Sequence, residues 1–249
     1  MNHDFKSMTA LSVNLNKIAL LRNSRGRDYP NVLDYAQKLI VMGVQGLTVH
    51  PRQDERHATR QDTRDLAALC ADYPNVEFNV EGYPSEQFLA LIEATQPDQC
   101  TLVPDAPEQL TSDHGWDLRT HFEWVGELAQ TLKGFGVRSS LFVDPDMTQI
   151  ELAAKTGVNR IELYTEAYAH AFAQGQHEAV LSVYADAASG AQSMGLGVNA
   201  GHDLDLHNLA TFLQIPDILE VSIGHALTVE SLEFGVAEVV SRYLAICKP

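Results

Sequence analysis

The sequence predicts an α/β protein, a (β/α)8 TIM barrel with extra short helices in its loops, filling residues 1–249 as one domain. Three observations lead there. Eight short β-rich runs recur along the chain, helical patterns separate them, and 249 residues suit one such barrel. Most runs carry Val, Ile, Leu or Phe at nearly every position, as strands of a parallel sheet buried on both faces do. A doubly wound sheet would have fewer strands and a Gly-rich first turn. The first turn here reads NLNKIALLRNSRG, without GxGxxG.

In chain order, LSVNLN (11–16) opens the barrel, and NVLDYAQKLIVMG (31–43) follows as a helix that stops at Gly43. GLTVHP (46–51) leads to the helix TRDLAALCADY (63–73), and VEFNVE (76–81) to SEQFLALIEA (85–94). After CTLVP (100–104) comes a longer loop, 105–115, and then the helix 117–136, closed by Gly136. VRSSLFVD (137–144) precedes DMTQIELAAKTG (146–157), which stops at Gly157. RIELYT (160–165) is followed by a second long stretch, 166–175, read as a lid or an extra short helix, and by the helix 175–195 ending at Gly195. LGVNAG (196–201) pairs with LDLHNLATFLQ (204–214), and ILEVSIG (218–224) with a final helix over 229–247. The unit repeats eight times, which favours the closed barrel.

Composition narrows the function classes. Apolar residues make up 45%, enough for a sizeable core. No apolar run reaches membrane-spanning length, and the polar opening Met1 to Ala10 has no signal-peptide core, so a soluble cytoplasmic protein is expected. Three widely spaced cysteines without a CxxC pair argue against a disulfide framework or structural zinc, and Cys100 reads as a buried thiol. A formal net charge of −16 disfavours nucleic acid or an anionic membrane as partner. Seven of the eleven arginines nevertheless lie between Arg22 and Arg64, a concentration that suits a local anion site. Arg60 and Arg64 read more simply as a solvated helix face.

In such a barrel, functional side chains sit where strands end and βα loops begin. There the sequence places Asn14, Asn16 and Lys17 after strand 1, and His50, Arg52 and His57 after strand 2. Strand 3 carries Glu77 and ends at Glu81, and strand 5 ends at Asp144. Strands 7 and 8 end in Gly201-His202 and Gly224-His225. Glycines there let backbone N–H groups approach a phosphate closely, and the next helix adds its positive end. His50, Glu77 and His202 are the candidates for proton transfer, because histidine titrates near neutrality and a carboxylate in an apolar strand can be held protonated. For Glu77 the competing reading is a carboxylate paired with an arginine. A zinc or iron site would need His50, Glu77, His202 and His225 to converge, and no metal is expected. A Schiff-base lysine would have to be Lys17.

The segments VNLNKIALLRNSRG, TVHPRQDERH, NVEFNV, LVPDAPEQLTSDHGWD, SLFVDPD, IELYTEAYA, VNAGHDLDLHN and SIGHA resemble, in order and spacing, the pyridoxine 5′-phosphate synthase family. The resemblance implies an α/β barrel that condenses 3-amino-2-oxopropyl phosphate with 1-deoxy-D-xylulose 5-phosphate, uses no metal or organic cofactor, and assembles as a homo-octamer. It implies that His50 and Glu77 accept protons and His202 donates one. Asn14, Arg25, Gly224 and His225 would hold the aminoketone phosphate, and Arg52, His57 and Thr111 the deoxyxylulose phosphate. The family usually reads Asp-His where this chain has Asn16-Lys17, positions that bind deoxyxylulose phosphate there. It has glycine where this chain has Asp203, and His-Thr-Gly where this chain has Tyr164-Thr165-Glu166. Asp203 is expected to cap the following helix and turn away from the phosphate. Three functions fit: the family reaction, a related reaction on another phosphorylated ketone or amine, or sugar-phosphate binding without catalysis.

Overall fold

A computed structural model describes residues 8–105, 109 and 112–248. Eight parallel strands close into a barrel in chain order. They are β1 (Ala10–Asn14), β2 (Gly46–Val49), β3 (Glu77–Gly82), β4 (Gln99–Leu102), β5 (Arg138–Val143), β6 (Arg160–Tyr164), β7 (Gly197–Gly201) and β8 (Ile218–Ile223). Ser12 pairs in register with both Gly46 of β2 and Ser222 of β8, so β1 closes the ring. The TIM-barrel expectation is met strand by strand, with boundaries within about two residues, the usual scatter of element ends.

The described residues form eleven helices, three more than the main pattern predicts. Two are short insertions, α1 (Asn16–Asn23) directly after β1 and α7 (Glu166–Ala173) in the expected long stretch after β6. Between these lie α2 (Val32–Val41), α3 (Arg60–Ala71), α4 (Glu86–Thr95), α5 (Leu118–Gly134) and α6 (Met147–Thr156). Thr59 starts α3 with a capping box, its hydroxyl accepting from Asp62 N–H while the Asp62 carboxylate accepts from Thr59 N–H. α8 (His177–Ser193) precedes β7. The helix expected over 204–214 shrinks to α9 (Leu209–Phe212), because Asp205 folds its carboxylate onto the N–H groups of His207 and Asn208 and turns the chain. The last helix divides into α10 (His225–Phe234) and α11 (Val236–Cys247) at Gly235, whose φ of +82° interrupts the helix.

The apolar core lies between strands and helices. Leu11, Leu47, Phe78, Val80 and Leu141 face outward and pack under the helix ring with Leu39, Leu66, Ile92 and Tyr184. The barrel interior is polar, whereas barrels of this class usually fill it with branched apolar side chains. Ser12 and Thr48 share a hydrogen bond of 2.8 Å, Asn79 donates to Thr48 at 3.4 Å, and Thr101 donates to Asn79 at 3.1 Å. Asn199 donates to Glu220 at 3.3 Å deeper in the same space. These alternate positions were not evident from the apolar density of the strands.

Candidate active site

Asn14, the last residue of β1, and Asn16, the first of α1, tie three strands together. Asn14 accepts from Asn16 N–H at 3.0 Å, and Asn16 in turn accepts from His50 N–H at 3.0 Å. Asn14 also reaches Glu81, donating to its carboxyl group at 3.5 Å. The residue after β2, His50, and the penultimate residue of β3, Glu81, are therefore joined through β1. Gly224 makes room for this: a Cβ there would lie 3.0 Å from the Cβ of Asn14.

His50 is buried, and its ring stands 6.2 Å from that of His57. Burial pushes its imidazole well below the ordinary histidine range, and Arg52, His57, His202 and Arg56 push the same way. His57 is lowered to about 4, first by burial and then by Arg52, Lys17 and Arg56. Lys17, on the first turn of α1, thus lies near enough to His57 to disfavour its charged form. The buried Nδ1 of His57 has no partner within the described protein, as an atom awaiting a ligand would. Arg52 is itself buried and pairs with Asp105 at 2.5 Å while donating to the Gln109 carbonyl at 2.9 Å. Ser112 donates to the same Asp105 oxygen at 2.7 Å. A phosphate at Arg52 has to share the guanidinium with Asp105.

His202 follows β7 and lies in reach of the same groups. Burial lowers its imidazole, Arg52 adds to that, and Asp203 and Asp105 oppose it. Gly201 beside it is packed so closely that a Cβ would meet Glu162 at 2.3 Å. Asp203 has φ +57° and carries no cap: the turn before α9 is made by Asp205. The expected capping role of Asp203 is therefore incorrect. Asp203, His207, His225 and Glu230 line an open hollow at the ends of β7 and β8. His225 is the first residue of α10 and exposed there. Arg25 is exposed in the turn after α1, apart from the histidine cluster. Thr111 lies outside the described residues.

Glu77 requires a correction. It is the first residue of β3, level with Gly46, whereas His50 follows Val49 at the other end of β2. Glu77 forms a two-pronged ion pair with Arg138, and Arg160 stands 4.0 Å away. The pairing with an arginine, held open from the sequence, is what the structure contains, at the N-terminal opening of the barrel. Strand direction explains it: in a parallel barrel the last residues of a strand reach the functional rim and the first ones do not.

The carboxyl group that does reach the rim is Glu81, noted in the sequence as a strand end but not assigned a role. Burial raises its pKa well above the carboxylate range, and the neighbouring carboxyls of Glu162, Glu220 and Asp105 raise it further against the pull of Arg52. Glu162 below it is pushed up to about 8 and Glu220 to about 7, both chiefly by burial. The rim thus offers two histidines biased towards the neutral form and one carboxyl group biased towards its protonated form. That set can accept and donate protons.

The sequence model of a family described as "Pyridoxal phosphate biosynthesis protein PdxJ" matches residues 11–249. A protein named pyridoxine 5′-phosphate synthase from Parabacteroides distasonis is 49% identical over 96% of this chain and 98% of its own length. Another of the same name, from Flavobacterium johnsoniae, is 50% identical over 95% of this chain and 98% of its own. Among solved structures, tryptophan synthase from Mycobacterium tuberculosis superposes with a TM-score of 0.66 at 11% identity, covering 97% of this chain and 93% of that one. At that identity the likeness concerns the barrel fold alone.

Proposed function

The chain belongs to the family of pyridoxal phosphate biosynthesis protein PdxJ, and on that premise we propose that it condenses 3-amino-2-oxopropyl phosphate with 1-deoxy-D-xylulose 5-phosphate. The products are pyridoxine 5′-phosphate, inorganic phosphate and water. The observation that carries this reading is the meeting of His50, His202 and Glu81 at the C-terminal rim, each with a proton affinity displaced by its surroundings. Joining an amine to a ketone, losing water and closing a ring require several proton transfers, each accelerated by about 10²–10⁴-fold when a positioned group carries it.

The roles follow from the electrostatics. His50, strongly biased to the neutral form by burial and by Arg52, serves as proton acceptor. Burial lowers the His202 imidazole too, but Asp203 and Asp105 oppose it, so His202 is less strongly biased to the neutral form than His50 and serves as donor. Glu81, biased towards its protonated form by burial and by the carboxyls of Glu162, Glu220 and Asp105, takes the carboxyl role first assigned to Glu77. Arg52 and Lys17 form the positive side of the rim and, with the neutral imidazole of His57 as a hydrogen-bonding group, suit the deoxyxylulose phosphate, with Asn16 holding His50 in place. Asn14, Gly224 and His225 at the start of α10 suit the aminoketone phosphate, where backbone N–H groups and the helix end favour an anion. No cofactor is assigned a part. Exposed Leu20 and Leu21 on α1 and Leu232 and Phe234 on α10 support assembly of several copies, with an octamer as the expected mass in solution.

The test is direct. Purified protein supplied with both phosphorylated substrates is expected to form pyridoxine 5′-phosphate and release inorganic phosphate, and neither substrate alone is. Absence of product at high enzyme would refute the proposal. Turnover of a different phosphorylated ketone or amine in that same experiment would point to the related reaction instead.

A further inference from the structure

Three strands meet around His202. β5 supplies Phe142, β6 ends in Tyr164, and β7 ends one residue before the histidine. The imidazole centroid lies 5.1 Å from each of the two rings, tilted 54° to Phe142 and 85° to Tyr164. Phe142 and Tyr164 are 5.3 Å apart, so the three rings form a closed triangle. Separations and angles of this kind are the attractive arrangement for aromatic pairs, edge of one ring towards the face of another.

The backbone beneath the imidazole is held by different means. His202 and Asp203 have φ of +78° and +57°, in the left-handed region that non-glycine residues seldom occupy. Buried Thr165 keeps them there: its hydroxyl donates to the Gly201 carbonyl at 2.7 Å and contacts that of His202, and its N–H donates to Gly201 at 3.1 Å. Thr165 thus fixes the main chain, and the two rings bound the side chain. Phe142 is buried and belongs to the barrel wall, whereas Tyr164 is only half-buried and stands at the rim. Its own carbonyl accepts from Tyr184 at 2.6 Å, which anchors the strand end that carries it.

We propose that Tyr164, backed by Phe142, sets the orientation of the His202 imidazole and is a positioning residue for proton transfer. This rests on the reading of His202 as a proton-transfer group. The phenol is held at about 12 by burial and by Glu166, Asp203, Asp113 and Asp144, so Tyr164 presents a neutral ring across the working range. The charged and titratable groups that face His202 are Asp203 on its own loop, Asp105 after β4, and Arg52 and His50 after β2. None of these restrains the ring as a wall does. The role belongs to the aromatic face and not to the hydroxyl, so phenylalanine should replace tyrosine and leucine should not.

The experiment is an NMR titration of the imidazole resonances of the full chain, with His202→Gln identifying the signal, together with steady-state kinetics. Tyr164→Phe should titrate as the unsubstituted chain does and keep its kcat. Tyr164→Leu opens the imidazole to water, so its midpoint should rise towards 6.5, and kcat should fall about tenfold while KM for both substrates stays within about twofold. An unchanged midpoint in Tyr164→Leu, or a shifted midpoint with unchanged kcat, would overturn the proposal. Should Tyr164→Leu fail to fold, the unsubstituted chain decides: ring-to-ring NOEs between Tyr164 and His202 are expected, and their absence refutes the contact. If the unsubstituted chain forms no pyridoxine 5′-phosphate, the functional reading fails while the titration still judges the contact.

Discussion

At the N-terminal opening of the barrel, Arg138, Glu77, Arg160 and Glu220 form a chain of alternating sign joined by three ion pairs. At the C-terminal rim, Arg52 crowds His50 and His57 and holds them towards the neutral form, and Glu81 sits above Glu162 and Glu220 with no ion pair to an arginine among the described residues. Both ends hold ionisable side chains inside one polar cylinder. At the first end each carboxylate has an arginine within ion-pair distance, and the groups are structural. At the second, burial and like neighbours displace the proton affinities, which is the condition acid–base chemistry needs. A carboxylate in a barrel strand is therefore to be judged by the end it occupies and by its neighbours, not by its presence.

The largest expected break in this comparison comes from the rim histidines. His50→Asn and His202→Asn should each lower kcat/KM by about 10²–10⁴-fold with little change in Tm. Assays of product formation and thermal melts check this together. Equal losses from substitutions at the N-terminal opening would erase the distinction between the two ends.

A second effect tests the interior beneath the rim through pH. The folded pKa of Glu162 is raised to about 8 from an ordinary 4.5, so the folded state retains a proton that the unfolded state has lost. Stability is therefore expected to fall as pH rises from 4.5 towards 8. Glu162→Gln, which cannot ionise, should raise Tm at about pH 8.5 and change it much less at about pH 5. His57 acts at the other side of neutrality: with a folded value of about 4 against an ordinary 6.5, it removes stability as pH falls below 6.5. His57→Gln should flatten the acid limb of the Tm profile.

The smallest effect belongs to the N-terminal opening. Arg138 and Glu77 are partly exposed, with side-chain accessibilities of 26% and 45%, so solvent screens their attraction. Arg138→Met should cost about 1 kcal/mol or less in a denaturant melt and leave kcat unchanged.

Much of this arrangement was legible in the sequence. Each β-rich run became a strand, because two-faced burial demands nearly continuous apolar residues. The positions of His50, His202 and His225 followed from strand ends alone. Glu77 and Glu81 are four residues apart on a period-two strand, so they share a face, and only the direction of the strand separates floor from rim. The partner of Glu77 was not legible, since the hydrogen bonds from Arg138 span 61 residues. The triangle around His202 draws on β5, β6 and the loop after β7, and no local pattern announces it. Nor did the apolar period of the last helix reveal the break at Gly235, because a single glycine inside a helical pattern is compatible with continuation.

If proton transfer belongs to the rim and ion pairing to the opposite end, two carboxamide substitutions four residues apart on β3 will behave differently. In parallel assays of pyridoxine 5′-phosphate formation, Glu81→Gln is expected to lower kcat on the order of 10²-fold, and Glu77→Gln to leave it within about threefold. A large loss from Glu77→Gln with little from Glu81→Gln would contradict the account.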